Sequence, residues 1–153
     1  MQRPPLQTKG AQQSPFVLHV EHVPATHLHF IKHTCVDWYE METHFFVHAN
    51  VHPDLPLAEQ KTAHLHWESF GVNWHRAHCS GKIMVCGHTQ QRSGVPLNLG
   101  SAVCIDTAAY AGGWLTCLDV TTGDFWQANE LGQTRRGTIA VTLRDGQTLI
   151  IEE

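Results

Sequence analysis

The stretch THFFVHANVHPDLPLAEQ, residues 43–60, decides how the chain is read. Phe45, Phe46 and Val47 are aromatic or β-branched, the types that fill a pleated, partly buried surface, so a strand is expected over 43–47. The run ends in His48, a small residue, and a loop stiffened by Pro53 and Pro56. An imidazole at a strand end brings a ring nitrogen to the rim of a sheet, where ligand sites of layered α/β folds collect. The same pattern recurs in KIMVCGHT, where Ile83–Cys86 reads as a strand and His88 follows one glycine later. Ala49 and Thr89 leave room beside each ring, and Gly87 offers backbone freedom to turn His88 off the sheet. His48 and His88 are therefore the candidate metal-ligating residues.

Outward from these motifs the period changes twice. Between residues 24 and 41, Leu28, Ile31, Cys35 and Trp38 recur at spacings of three and four, which predicts an amphipathic helix with Pro24 at its start. Residues 61–81 read as irregular, with Trp67 and Trp74 as packing anchors. Downstream, 83–86, 102–106, 113–120 and 124–128 are short β runs, with a tight turn at 121–123. The tail TIAVTLRDGQTLIIEE predicts two strands around Asp145-Gly146. Residues 1–15 read as a disordered leader, 16–136 as the main domain and 137–153 as a β-hairpin extension. The expected class is α/β with a mostly antiparallel C-terminal sheet.

Composition narrows the partners. Charged residues are 16% of the chain and the net charge is -4, so there is no basic footprint for nucleic acid or an anionic membrane. No apolar run approaches the ~20 residues of a spanning helix. Five cysteines without CxxC spacing suit buried thiols in a reducing, cytoplasmic setting. The 13 histidines are too many for number to mean function. Pairs such as His64/His66, His75/His78 and His27/His29 suggest a histidine-rich metal module, but none has a cysteine at zinc-finger spacing.

Taken together, THFFVHANVHPDLPLAEQ, GKIMVCGHT and CIDTAAYAGGWLTCLDV resemble the C-terminal half of a calcineurin-like metallophosphoesterase. The likeness covers roughly residues 23–129 and is nearest to bacterial serine/threonine protein phosphatases and symmetrical diadenosine tetraphosphate hydrolases. It implies part of a β-sandwich flanked by helices, with two divalent metal ions (manganese, iron or zinc) at its edge. Those ions activate a bridging water that attacks phosphorus. On this resemblance His48 and His88 ligate the second metal, Tyr110 lines the substrate site, and Arg76 is the candidate for gripping phosphate. Asp106 reads as structural, satisfying backbone groups at a strand end.

The family's GDxHG, GDxxDRG and GNHD or GNHE motifs do not occur, and none of the six aspartates offers a convincing substitute bridge. The expected function is metal-dependent phosphoester hydrolysis, with a phosphoprotein or small phosphoester as substrate, contributed by one half of the enzyme. The alternatives are a catalytically dead, partner-binding pseudo-phosphatase and a diadenosine tetraphosphate hydrolase-like activity. A halved sandwich exposes apolar faces and strand edges, so an N-terminal half chain or self-association is the expected partner.

Overall fold

In the computed structural model residues 24–69, 76–139, 141–142 and 148–149 are described, the last four by backbone alone. The chain divides into two compact units, Met1–Val36 and Asp37–Glu153. The first contains helix α1 (Ala25–His33), whose Phe30 and Ile31 are more than half exposed. The helix stops well short of the predicted residue 41. Trp38–Glu40 instead forms strand β1, with Trp38, Tyr39 and Glu40 opposite Val47, Phe46 and Phe45, so sheet pairing overrides the helical period.

The second unit is mixed α/β, mostly strands in two sheets with few helices. Its strands are β1, β2 (His44–Val47), β3 (Ile83–Cys86), β4 (Leu97–Asn98), β5 (Ala102–Cys104), β6 (Leu115–Leu118), β7 (Asp124–Ala128), β8 (Thr134–Thr138), β9 (Val141–Thr142) and β10 (Thr148–Leu149). The larger sheet runs β1-β2-β3-β5-β4-β9-β10 and the smaller β6-β7-β8. Most pairings are antiparallel, as expected, but the centre of the larger sheet is not: β2 with β3 and β3 with β5 are parallel. The cause is the long β2–β3 connection, which holds helix α2 (Thr62–Trp67) and lets the chain cross over. Strand β5 is buried at all three positions, and β3 at its last three, as strands covered on both faces must be.

Helix α2 corrects the irregular reading of 61–81. Its residues lack an N-terminal cap, and it is fixed instead by Ala49 and Asn50, whose N–H groups donate to the carbonyls of Leu65 (2.8 Å) and His64 (3.1 Å). Leu65 enters the core with Phe45, Val47, Val51, Leu57, Met84, Cys86, Ala102 and Cys104. Trp67 is 51% exposed and is no packing anchor, and Trp74 lies outside the described residues. The expectation for the cysteines also needs correction. Cys86 and Cys104 are buried, while Cys35, Cys79 and Cys117 are exposed, all as free thiols.

In the smaller sheet β7 alternates buried Phe125 and Gln127 with exposed Trp126 and Ala128. Its partner β8 offers Gly137 opposite Phe125, where a Cβ would come within 2.7 Å of the ring. The turn between β6 and β7 falls where expected, with the Asp119 carboxylate accepting from the N–H groups of Thr121 and Thr122. The backbones of β9 and β10 pair antiparallel as the tail predicts, although the Asp145-Gly146 turn and the leader 1–15 lie outside the described residues.

Gly113 lies in the connection from β5 of the larger sheet to β6 of the smaller. A Cβ there would lie 2.2 Å from the Thr107 carbonyl oxygen and 2.7 Å from that of Ala108, and both are backbone atoms that cannot swing aside. Gly113→Ala is expected to lower stability by about 1–3 kcal/mol in urea denaturation. An unchanged midpoint would mean that this approach is not made in solution.

Candidate metal centre

Because β2 and β3 are parallel neighbours, with Phe45 opposite Met84 and Phe46 opposite Val85, both strands end at the same rim. His48 is the first residue past β2 and His88 the second past β3. Neighbouring strands lie about 4.8 Å apart, and the two ring centroids are 5.2 Å apart at an interplanar angle of 63°. The loops are joined directly, since the Gly87 N–H donates to the His48 carbonyl at 3.0 Å. The two strand-end histidines thus share one place.

His88 is held in the left-handed region, φ 61°, which costs a non-glycine residue of order 1–3 kcal/mol. Gly87, expected to take the unusual angle, does not; His88 takes it itself. Histidine visits this region more readily than most residues, and its ring finds a compensating partner. His88 Nε2 lies 3.1 Å from the Trp67 carbonyl oxygen. A carbonyl can only accept, so neutral His88 carries its proton on Nε2 and leaves the Nδ1 lone pair free. A backbone carbonyl fixing the tautomer from behind is how metal-bound histidines are commonly oriented.

The electrostatics favour the neutral form at His48. Partial desolvation of the ring, in a residue that is otherwise exposed, pushes its pKa below the usual 6.5, the neighbouring His88 and His66 push the same way, and the Asp106 carboxylate opposes them. A neutral imidazole is the form that ligates a metal. The sign for stability follows: the unfolded chain takes up this proton near pH 6.5 while the folded chain resists it. Stability is therefore full above pH 6.5 and declines as pH falls through the depressed folded value. His48→Gln is expected to flatten the fall of the urea midpoint as pH drops below about 6.5, measured against wild type. An equally steep fall in the variant would refute the assignment of that loss to His48.

Around the pair, α2 contributes His66, which the sequence offers only as part of a histidine pair and not beside His48. His66 Nε2 lies 3.0 Å from Asp37 Oδ1, and the charge of His66 is near enough to bear on His48. The adjacency of Leu65-His66-Trp67 to the loop at 48–50 comes from backbone bonds between distant segments, which no local pattern announces. Asp106 is structural as expected, its Oδ1 accepting from the Ala108 N–H at 3.1 Å.

The other two candidates are not gathered with the histidines. Tyr110 is 82% exposed on a 3-10 turn, Ala109–Ala111, in a groove it shares with Gln90, Arg92 and Trp114. That groove begins two residues beyond His88. Arg76 lines a different, smaller cavity with Asn50, Pro53 and His78, and its guanidinium is engaged by Asp54 at 2.6 Å.

Two imidazoles fit two positions of a transition metal's coordination sphere, the tautomer of His88 being set by the Trp67 carbonyl. They do not complete it. Among the described residues no group of three or more His, Cys, Asp or Glu side chains is placed to hold a metal ion. This bears on the histidine-rich module too: His64 pairs with Glu68, His66 with Asp37, and buried His78 with Ser80 and the Leu55 carbonyl. No helix among the described residues is long and apolar enough to cross a membrane. Comparison of the chain with protein-family models, curated proteins and solved structures finds no match.

Proposed function

We propose that this chain contributes half of a metal-dependent phosphoester hydrolase, of the calcineurin-like metallophosphoesterase type that its motifs resemble, and most nearly a phosphoprotein phosphatase. The observation behind this reading is the meeting of His48 and His88 at the common end of two parallel strands, 5.2 Å between centroids. In it the two rings hold one divalent ion (manganese, iron or zinc), which when bound lowers the pKa of a coordinated water and offsets charge on the phosphoryl oxygens. The chain's own work is positional. The Trp67 carbonyl orients His88, partial desolvation and the neighbouring His88 and His66 lower the pKa of His48, and the bond between Gly87 and His48 holds the two rims together.

On this reading the remaining ligands come from a segment outside residues 1–153 that bears the motifs absent here. On this reading the smaller sheet seats it, since Leu115 and Trp126 stand out from one face at 70% and 49% exposure. Apolar patches of this kind mark association surfaces. On this reading, supplying an N-terminal half with the GDxHG, GDxxDRG and GNHD motifs yields manganese-dependent release of p-nitrophenol from p-nitrophenyl phosphate. Sedimentation of the mixture should show a joined species. A joined complex that binds metal and hydrolyses nothing supports the alternative of a partner-binding pseudo-phosphatase.

A further inference from the structure

The loop that carries His88 rests on a pair of buried thiols that the hydrolytic reading leaves without a task. Cys86 and Cys104 are register partners on the parallel central strands β3 and β5, so their side chains leave the same face of the sheet. Parallel neighbours lie about 4.8 Å apart, within the roughly 4.4–6.8 Å between Cα atoms that a disulfide spans. The two thiols are close enough for each to bear on the other's ionisation. The Cys104 thiol also donates towards the carbonyls of Gly87 (3.5 Å) and Thr89 (3.2 Å), the residues on either side of His88. One sulfur therefore both faces its partner and braces the left-handed histidine.

We propose that Cys86 and Cys104 form an oxidative modification site, closing to an intramolecular disulfide under a peroxide and thereby releasing the loop that holds His88. The sulfur of Cys104 attacks one peroxide oxygen; the S–O bond forms as the O–O bond breaks, and the departing oxygen leaves as water with the thiol proton. The sulfur of Cys86 then attacks the sulfenic sulfur; the S–S bond forms, the S–O bond breaks, and the hydroxyl leaves as a second water with the Cys86 proton. Two thiols are oxidised and one peroxide is reduced. The disulfide has no S–H to offer the Gly87 and Thr89 carbonyls, so the loop over 87–94 loses its brace. Both thiols are buried, so access depends on local opening of that loop and the reaction is slow beside that of the exposed cysteines.

The test uses the full chain with Cys35→Ser, Cys79→Ser and Cys117→Ser, which removes the exposed thiols. Treated with hydrogen peroxide and mapped by mass spectrometry, it should lose two hydrogens per chain, show a Cys86–Cys104 crosslinked peptide, and recover both thiols in dithiothreitol. Hydrogen exchange at 87–94 should quicken by about tenfold on oxidation, the equivalent of one or two lost hydrogen bonds. Adding Cys86→Ser should abolish the crosslink and leave Cys104 as the sulfenic acid or its higher oxides. Two thiols that stay free, that oxidise separately without linking, or that link with no change at 87–94 would each overturn the proposal. None of these outcomes bears on phosphoester hydrolysis, which is read by p-nitrophenol release.

Discussion

Phe45→Ala should cost the domain about 3–5 kcal/mol, the usual range for emptying a large aromatic site in a core. Phe45 is wholly buried, in the middle of β2, with Glu40 opposite it on one side and Met84 on the other. Its ring packs against the His78 imidazole, 4.9 Å between centroids, and belongs to the cluster that joins Leu65 of α2 to β3 and β5. Removing it uncouples the helix from the sheet as well as opening a void. Against a typical total of about 5–15 kcal/mol, that loss leaves a marginal fold. Urea denaturation followed by far-ultraviolet circular dichroism gives the number, and Phe45→Leu, which keeps most of the volume, should cost below about 1.5 kcal/mol. A loss under about 1 kcal/mol for the alanine variant would mean that the core is not centred on this residue.

The second large effect concerns chemistry. In the complex of this chain with the motif-bearing half, His48→Ala and His88→Ala should each lower manganese-dependent hydrolysis by more than about a hundredfold. Loss of an outer-shell partner alone costs about 10–100-fold in metal affinity or activity, and loss of a ligand costs more. The double variant should be little worse than either single one, because residues that serve one ion do not act additively. His66→Ala, outside the pair, should cost less. If both single variants keep nearly full rate, the rings do not serve the metal, whatever their spacing.

The elements that were legible in the sequence are those whose burial follows a local pattern. Ile83–Cys86 and Asp124–Ala128 are recognisable because apolar or alternating residues sit between turn formers, and both strands lie at those bounds. Thr134–Thr138 was not, because four of its five residues face solvent and its polar sequence carries no period. Its place depends on Gly137 yielding room to Phe125, a contact between strands rather than a feature of either. The parallel order of β2, β3 and β5 was illegible for a similar reason. Strand character is local, whereas the choice of partner is made by a crossover through α2 and by burial on both faces.

The site divides in the same way. His48 and His88 stood out because an imidazole at an apolar strand end is chemically conspicuous, and the strands that carry them turned out to be neighbours. What orients the rings was not visible. The Trp67 carbonyl reaches His88 from a helix read as irregular, and the left-handed turn falls on the histidine rather than on the glycine before it. Arg76, nearest in sequence to the expected phosphate grip, is drawn off by Asp54 into another cavity. Sequence proximity suggested it, and an ion pair with a carboxylate 22 positions earlier decided otherwise.

The shared metal is tested most directly by titrating manganese(II) into the chain while following the imidazole resonances. A paramagnetic ion held between the two rings broadens the signals of His48 and His88 together, at one concentration, and more strongly than that of any other histidine; His48→Ala should abolish the effect at His88. Broadening of only one of the two rings, or equal broadening of all the histidines, would contradict the account.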